Sequence, residues 1–122
     1  MLSEAKKVAI IGYKGRMGQA TLKALAQHSK LILGAKVGRQ ELQNKDQCAR
    51  ILKNCHAMID FSNVGAQVEI YSLLQECNIQ IPMITGVTGL DREVQDLIDL
   101  YAQCAPVLQA ANFSIGIALL KR

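Results

Sequence analysis

Apolar positions along the chain alternate between two rhythms. Consecutive apolar runs at Val8 to Ile11, Leu31 to Gly38 (LILGAKVG), the AMIDF segment from Ala57, the PMIT segment from Pro82 and Ala105 to Ala110 read as short strands, the first of them buried on both faces. Pro82 has no N–H to donate, so pairing of the fourth run begins there. Between the runs, apolar residues recur at helical spacing: Met17, Ala20, Thr21, Ala24 and Leu25; then Cys48, Ile51, Leu52 and Cys55; then Val64, Val68, Tyr71 and Leu74; then Val94, Leu97, Ile98 and Tyr101. Asp91 is placed to cap the last of these helices. Strands that alternate with amphipathic helices predict an α/β fold, a Rossmann-type doubly wound parallel sheet in one three-layer domain over residues 1–122. A further apolar stretch, Ile115 to Leu120, follows the fifth strand with nothing after it to pack against, and implies that a second domain covers it.

Composition narrows the function without naming it. Half of the 122 residues are hydrophobic, yet no apolar run approaches the ~20 residues of a membrane span and no secretory leader is visible, so a cytoplasmic protein with no membrane partner is expected. Cys48, Cys55, Cys77 and Cys104 lack C-x-x-C spacing and read as reduced, mostly buried thiols. His28 and His56 have no second ligand at a metal-like interval, and no metal is expected. The net charge of +4 is spread over dispersed lysines and arginines without an aromatic platform, which suits a small anion better than a nucleic acid.

Candidate chemistry sits in GYKGRMG, where Gly12, Gly15 and Gly18 join the first strand to the first helix. The three glycines serve different ends. Gly12 ends the strand in a tight turn, Gly15 lets backbone N–H groups approach phosphate oxygens, and Gly18 lets the helix settle on the strand. The spacing is G-x-x-G-x-x-G, with Lys14 one place before the second glycine. Strand before and helix after give this turn the context that a dinucleotide pyrophosphate site requires. The second strand ends at Gly38, about 20 residues past the turn, where such folds place a carboxylate on the adenosine ribose. Gly38 has no carboxylate, and Arg39, with Lys36, would welcome a ribose 2′-phosphate, so NADPH is preferred and NADH accepted as well. The other strand ends are Asp60-Phe61-Ser62, Thr85 to Gly89, and Ala110 to Ser114. Asn112 offers a donor and an acceptor to a carboxamide, and Asp60 is either a site residue or the cap of the helix near Val64.

In this order GYKGRMG, DFS, GVTG and AANFSIG resemble the N-terminal, nucleotide-binding domain of the dihydrodipicolinate reductase family (4-hydroxy-tetrahydrodipicolinate reductases), over essentially the whole chain. The resemblance implies reduction, with NADPH or NADH, of a cyclic intermediate on the diaminopimelate route to lysine. It places Gly12, Tyr13, Lys14, Gly15, Arg16 and Met17 on the pyrophosphate and adenosine, and Arg39 on the adenosine ribose or its phosphate. It places Gly86, Val87 and Thr88 near the nicotinamide ribose, and Ala110, Ala111, Asn112 and Phe113 at the carboxamide. Asn63, Val64 and Gly65 depart from the family's usual proline and acidic residue, Val87 replaces a threonine, and the link from Arg39 to Asp60 is short. The family's catalytic H-H-x-x-K and D-x-P-S-G-T segments belong to a second domain that also forms a homotetramer. No catalytic residue is therefore assigned here, and this chain alone is expected to bind the dinucleotide without turnover, as a monomer or a weak self-associating species, and to meet its small-molecule substrate only beside that domain. Two alternatives stay open: a stand-alone NADP-sensing regulatory module, and a piece of another NADP-dependent dehydrogenase.

Overall fold

The computed structural model describes residues 5–86 and 91–110. Its elements run β1 (Lys6–Ile11), α1 (Arg16–Ala26), β2 (Leu31–Val37), α2 (Arg39–Leu42), α3 (Lys45–Lys53), β3 (Ala57–Asp60), α4 (Val64–Glu76), β4 (Met83–Gly86), α5 (Arg92–Ala102) and β5 (Val107–Ala110). All strand pairs are parallel and the order is β2-β1-β3-β4-β5, so the chain reverses direction between β1 and β3. Ligands of open α/β sheets bind at such a reversal, outside the carboxyl ends of the strands.

The sheet is covered unequally. On one face Ala9, Ile11, Val37, Met58 and Met83 pack against Leu52 of α3, Ile70, Leu73 and Leu74 of α4, and Ile98 and Tyr101 of α5. On the other face Val8, Ile10 and Ile59 meet Leu25 of α1, with Leu22 and Phe61 half-buried beside them. Where β1 and β2 fall out of register between Val8 and Ala9, the extra residue is Gly34, whose Cβ would strike the Cys55 sulfur at 2.7 Å. The residue at the bulge is thus confined to glycine by Cys55 and by Lys7, whose Cβ would stand 2.9 Å away.

Element boundaries differ from expectation for local reasons. Val107 opens β5 in place of Ala105, because the Ala105 N–H still bonds the Tyr101 carbonyl at the end of α5. Gly38 leaves β2 to become the cap of α2, a helix of four residues, too short for apolar periodicity to reveal. Phe61 leaves β3, which ends at Asp60, and α3 closes at Lys53, before Cys55. The inner face of α1 is Gly18, Thr21 and Leu25, while Ala20 is exposed, because the bare Gly18 brings that side of the helix onto the sheet. In α3, Ala49 takes the buried place expected of Ile51. Asp91 caps α5 as expected, accepting the Val94 N–H at 3.0 Å. The Ile115 to Leu120 stretch lies outside the described residues. Among the described residues no helix is long and apolar enough to cross a membrane.

Candidate functional site

β1 ends because Gly12 takes φ +77°, a left-handed conformation that swings the chain off the sheet. A Cβ on Gly12 would also stand 2.8 Å from the Ser62 nitrogen, in the loop after β3. Gly18 is as tightly enclosed, since its Cβ would fall 2.5 Å from the Gly12 carbonyl oxygen and 2.6 Å from the Tyr13 Cα. Gly15 differs from both. Its φ of −75° and ψ of 173° are open to any residue, and among the described residues a Cβ there meets only the Gly12 oxygen, at 3.7 Å. Neither backbone nor packing calls for glycine at this position.

What lies in front of Gly15 is a row of donors. Gly15 is the N-cap of α1 and brings no side-chain acceptor, and the first turn holds no acidic residue. The first backbone bond of the helix runs from the Gln19 N–H to the Gly15 carbonyl at 2.9 Å; among the described residues no acceptor meets the N–H groups of Arg16, Met17 and Gly18. Arg16 adds a cation where the helix dipole is already positive. A site built from unmatched N–H groups, a dipole end and an exposed guanidinium takes an anion.

Beside it, at the carboxyl end of β2, side chains of both signs gather. The Tyr13 ring lies against Gly38, so that a Cβ on Gly38 would stand 3.1 Å from Tyr13 Cε1. Lys14 Nζ and Lys36 Nζ stand 5.9 and 5.3 Å from the centre of the same ring, within cation–π range. Arg39, the first residue of α2, is exposed. The carboxylate of Glu41, in the first turn of α2, reaches back to accept the Gly38 N–H at 2.7 Å.

Asp60, at the end of β3, is fully buried. Its carboxylate accepts the Ser62 N–H at 2.8 Å, the Ser62 hydroxyl at 2.5 Å, the Gln67 amide at 3.2 Å, the Tyr71 hydroxyl at 3.1 Å and the Thr85 hydroxyl at 3.2 Å. Burial, with the Asp60 charge adding to it, pushes the Tyr71 phenol well above its ordinary value and keeps it a donor. These five bonds tie the ends of β3 and β4 to α4 and set the Ser62 backbone behind Gly12. They use the lone pairs that acid–base work would need, so Asp60 is a staple of the site floor. The helix cap is Asn63, which accepts the Ala66 N–H at 3.1 Å.

The structure thus brings Gly12, Tyr13, Lys14, Gly15, Arg16 and Met17 together in one turn, with Arg39 beside the neighbouring strand end. Gly86 and Ala110 pair across β4 and β5 at the same edge of the sheet. Val87, Thr88, Ala111, Asn112 and Phe113 lie outside the described residues. His28 and His56 sit at the opposite, amino ends of the strands, where their Nδ1 atoms accept backbone N–H groups of Leu31 and Lys7. Cys48 and Cys55 are buried and burial lifts the Cys48 thiol to about 11, but Cys77 is half-buried and Cys104 exposed, against the expectation that the thiols are mostly buried. Sequence reasoning passed over Glu41, although glycine followed three places later by glutamate is the spacing of half a capping box.

Comparison with known proteins agrees with this geometry. Residues 6–113 match the family model described as dihydrodipicolinate reductase, N-terminus. A 4-hydroxy-tetrahydrodipicolinate reductase of Acinetobacter baumannii (strain AYE) is 31% identical over 95% of this chain and 48% of its own length. The protein of the same name from Thermomicrobium roseum is 34% identical over 93% of this chain and 48% of its own length. A solved structure of dipicolinate-bound dihydrodipicolinate reductase from Paenisporosarcina sp. TG-14 superposes with a TM-score of 0.60 at 17% identity, over 84% of this chain and 46% of the other. That last likeness is one of fold. The chain spans about half the length of the relatives it matches.

Proposed function

Because the chain belongs to the dihydrodipicolinate reductase family, as its N-terminal domain, we propose that it holds the nicotinamide dinucleotide of a reductase acting on 4-hydroxy-tetrahydrodipicolinate, on the diaminopimelate route to lysine. One observation carries this reading: among the described residues neither the backbone nor the packing demands a glycine at Gly15, and the three N–H groups beyond it have no acceptor. The space that a side chain would fill there is the space a pyrophosphate needs. When bound, the reduced nicotinamide supplies a hydride.

The chain's own part is to bind and orient. Gly12 to Met17 receive the pyrophosphate on α1, and the Asp60 network keeps Ser62 behind the turn so that Gly12 holds its left-handed shape. Lys14, Lys36 and Arg39 concentrate positive charge at the end of β2, which favours a ribose 2′-phosphate and hence NADPH over NADH. Gly86 and Ala110, small residues on adjacent strands, leave the edge flat beneath the nicotinamide end. In the whole cytoplasmic enzyme a second domain presents the substrate and builds the tetramer, and the isolated chain binds without turning over.

Gly15→Asp tests the site. An aspartate fits the backbone found at this position and supplies α1 with a cap, so stability holds or rises by up to ~1 kcal/mol. The same carboxylate occupies the pyrophosphate's place, and calorimetric titration should show NADPH affinity falling at least ~100-fold, the loss of two or more charge-assisted contacts. Unchanged NADPH affinity in the folded variant would overturn the reading.

A further inference from the structure

We infer that the amino-terminal side of the sheet carries two complementary docking surfaces through which one copy of this chain binds a second, head to tail. One is the apolar, lysine-flanked edge of β2; the other is an acid-flanked groove where α4 and α5 end. The two halves of the chain are oppositely charged. Residues 1–53 hold eleven lysines and arginines against three acids, whereas residues 54–120 hold seven acids and a single cation, Arg92, which pairs with Asp96 at 3.1 Å. The strand order β2-β1-β3-β4-β5 turns this difference along the chain into a difference in space, with the basic half at the β2 edge and the acidic half at the β5 edge.

Exposed apolar residues divide in the same way. Among the described residues no strand pairs with the outer side of β2, and Ile32 and Leu33, in its amino-terminal half, are 42% and 41% exposed. Side chains alternate across a strand, so both faces of this edge are apolar here. In the register with β1, Lys6 stands beside Leu31 and Lys7 beside Ile32, while Lys30 precedes them; all three lysines are exposed. An apolar strand edge with open backbone groups is a surface that another chain can complete. On the acidic half, a groove of about 260 Å³ is lined by Leu74, Ile79, Leu100 and Tyr101, with Asn78 and Cys104. Leu100 is 44% exposed. Neither α4 nor α5 has a basic residue in its last turn, so each helix brings the negative end of its dipole here without a cation of its own. Exposed Glu76 and Asp99 are next in the chain to Gln75 and Leu100, which line the groove. Such a groove accepts an aliphatic side chain with lysines beside it, which is what Ile32 and Leu33 offer. Edge against edge would bring lysines together and groove against groove would bring acids together, so the favoured contact is heterologous. Both surfaces lie toward the amino ends of the strands, and docking leaves the glycine turn at the carboxyl edge open.

Sedimentation velocity of the chain tests the contact. At low salt the weight-average sedimentation coefficient should rise with protein concentration, and at ~0.5 M salt the association should weaken at least ~10-fold. Ile32→Glu spoils the edge and Leu100→Arg spoils the groove. Both positions are exposed, so each variant should keep its circular dichroism spectrum and stay monomeric. Mixed in equal amounts, the two variants should form a dimer that grows no further, because one intact edge and one intact groove remain between them. Association that persists at ~0.5 M salt and in both variants, as the apolar stretch Ile115 to Leu120 would produce, overturns the assignment. So does an unaltered chain that stays monomeric up to ~1 mM at low salt, or a mixture of the variants that does not pair.

Discussion

Two helices begin side by side at the carboxyl edge of the sheet, and their first turns are built in opposite ways. α4 follows β3 and closes itself: Asn63 accepts the Ala66 N–H through its side chain and the Gln67 N–H through its carbonyl. α1 follows β1, whose last residue Ile11 pairs with Asp60 of β3, and makes only the backbone half of this closure: the Gly15 carbonyl accepts the Gln19 N–H, but Gly15 has no side-chain acceptor and Arg16 adds charge of the wrong sign. An orphan N–H group in a helix start is ordinarily met by a side chain or by water. Of the described helices longer than four residues only α1 lacks a side-chain cap, since α3 and α5 also carry one, at Asn44 and Asp91; the four-residue α2, which starts at Gly38, lacks one as well. That start of α1, beside three helices that carry side-chain caps, is the place proposed above for the pyrophosphate.

The largest test breaks the open end. Gly18→Ala drives a methyl into the Gly12 carbonyl and the Tyr13 backbone, neither of which can step aside without lifting α1 from β1. The expected loss is ~2–4 kcal/mol, read as a lower urea midpoint, together with loss of NADPH binding. A smaller effect comes from the closed end. Asn63→Ala removes the α4 cap and should lower stability by ~1 kcal/mol while leaving NADPH affinity within about twofold. The pair sharpens the comparison, because stability alone should follow α4 and binding should follow α1. A large drop in NADPH affinity for Asn63→Ala would show that the two helix starts act as one.

Much of this fold is legible in the chain, and the gaps have physical causes. Strand positions and the glycine turn stand out because consecutive apolar residues, and glycines between a strand and a helix, have few other uses. The faces of α1 and α3 are less legible, since the apolar pattern counts Ala20 and Ile51 as inner residues whereas contact with the sheet is decided by Gly18 and Ala49. Periodicity has no means of seeing that a missing side chain lets a helix approach. Asp60 reads equally as a site residue or a cap, because aspartate before a helix commonly is a cap; that its partners come from Gln67, Tyr71 and Thr85 depends on which strands are neighbours. Glu41 escapes for a related reason. Its carboxylate acts at Gly38, three residues from where the linear pattern looks for an acid.

The most direct measurement of the central claim follows backbone amides by NMR as NADPH is added to the isotope-labelled chain. The amide signals of Arg16, Met17 and Gly18, which have no acceptor among the described residues, should shift farthest and saturate together, while that of Ala66, already bonded to Asn63 Oδ1, should move little. Equal shifts at Gly18 and Ala66, or no shift at Arg16, Met17 and Gly18 under saturating NADPH, would contradict it.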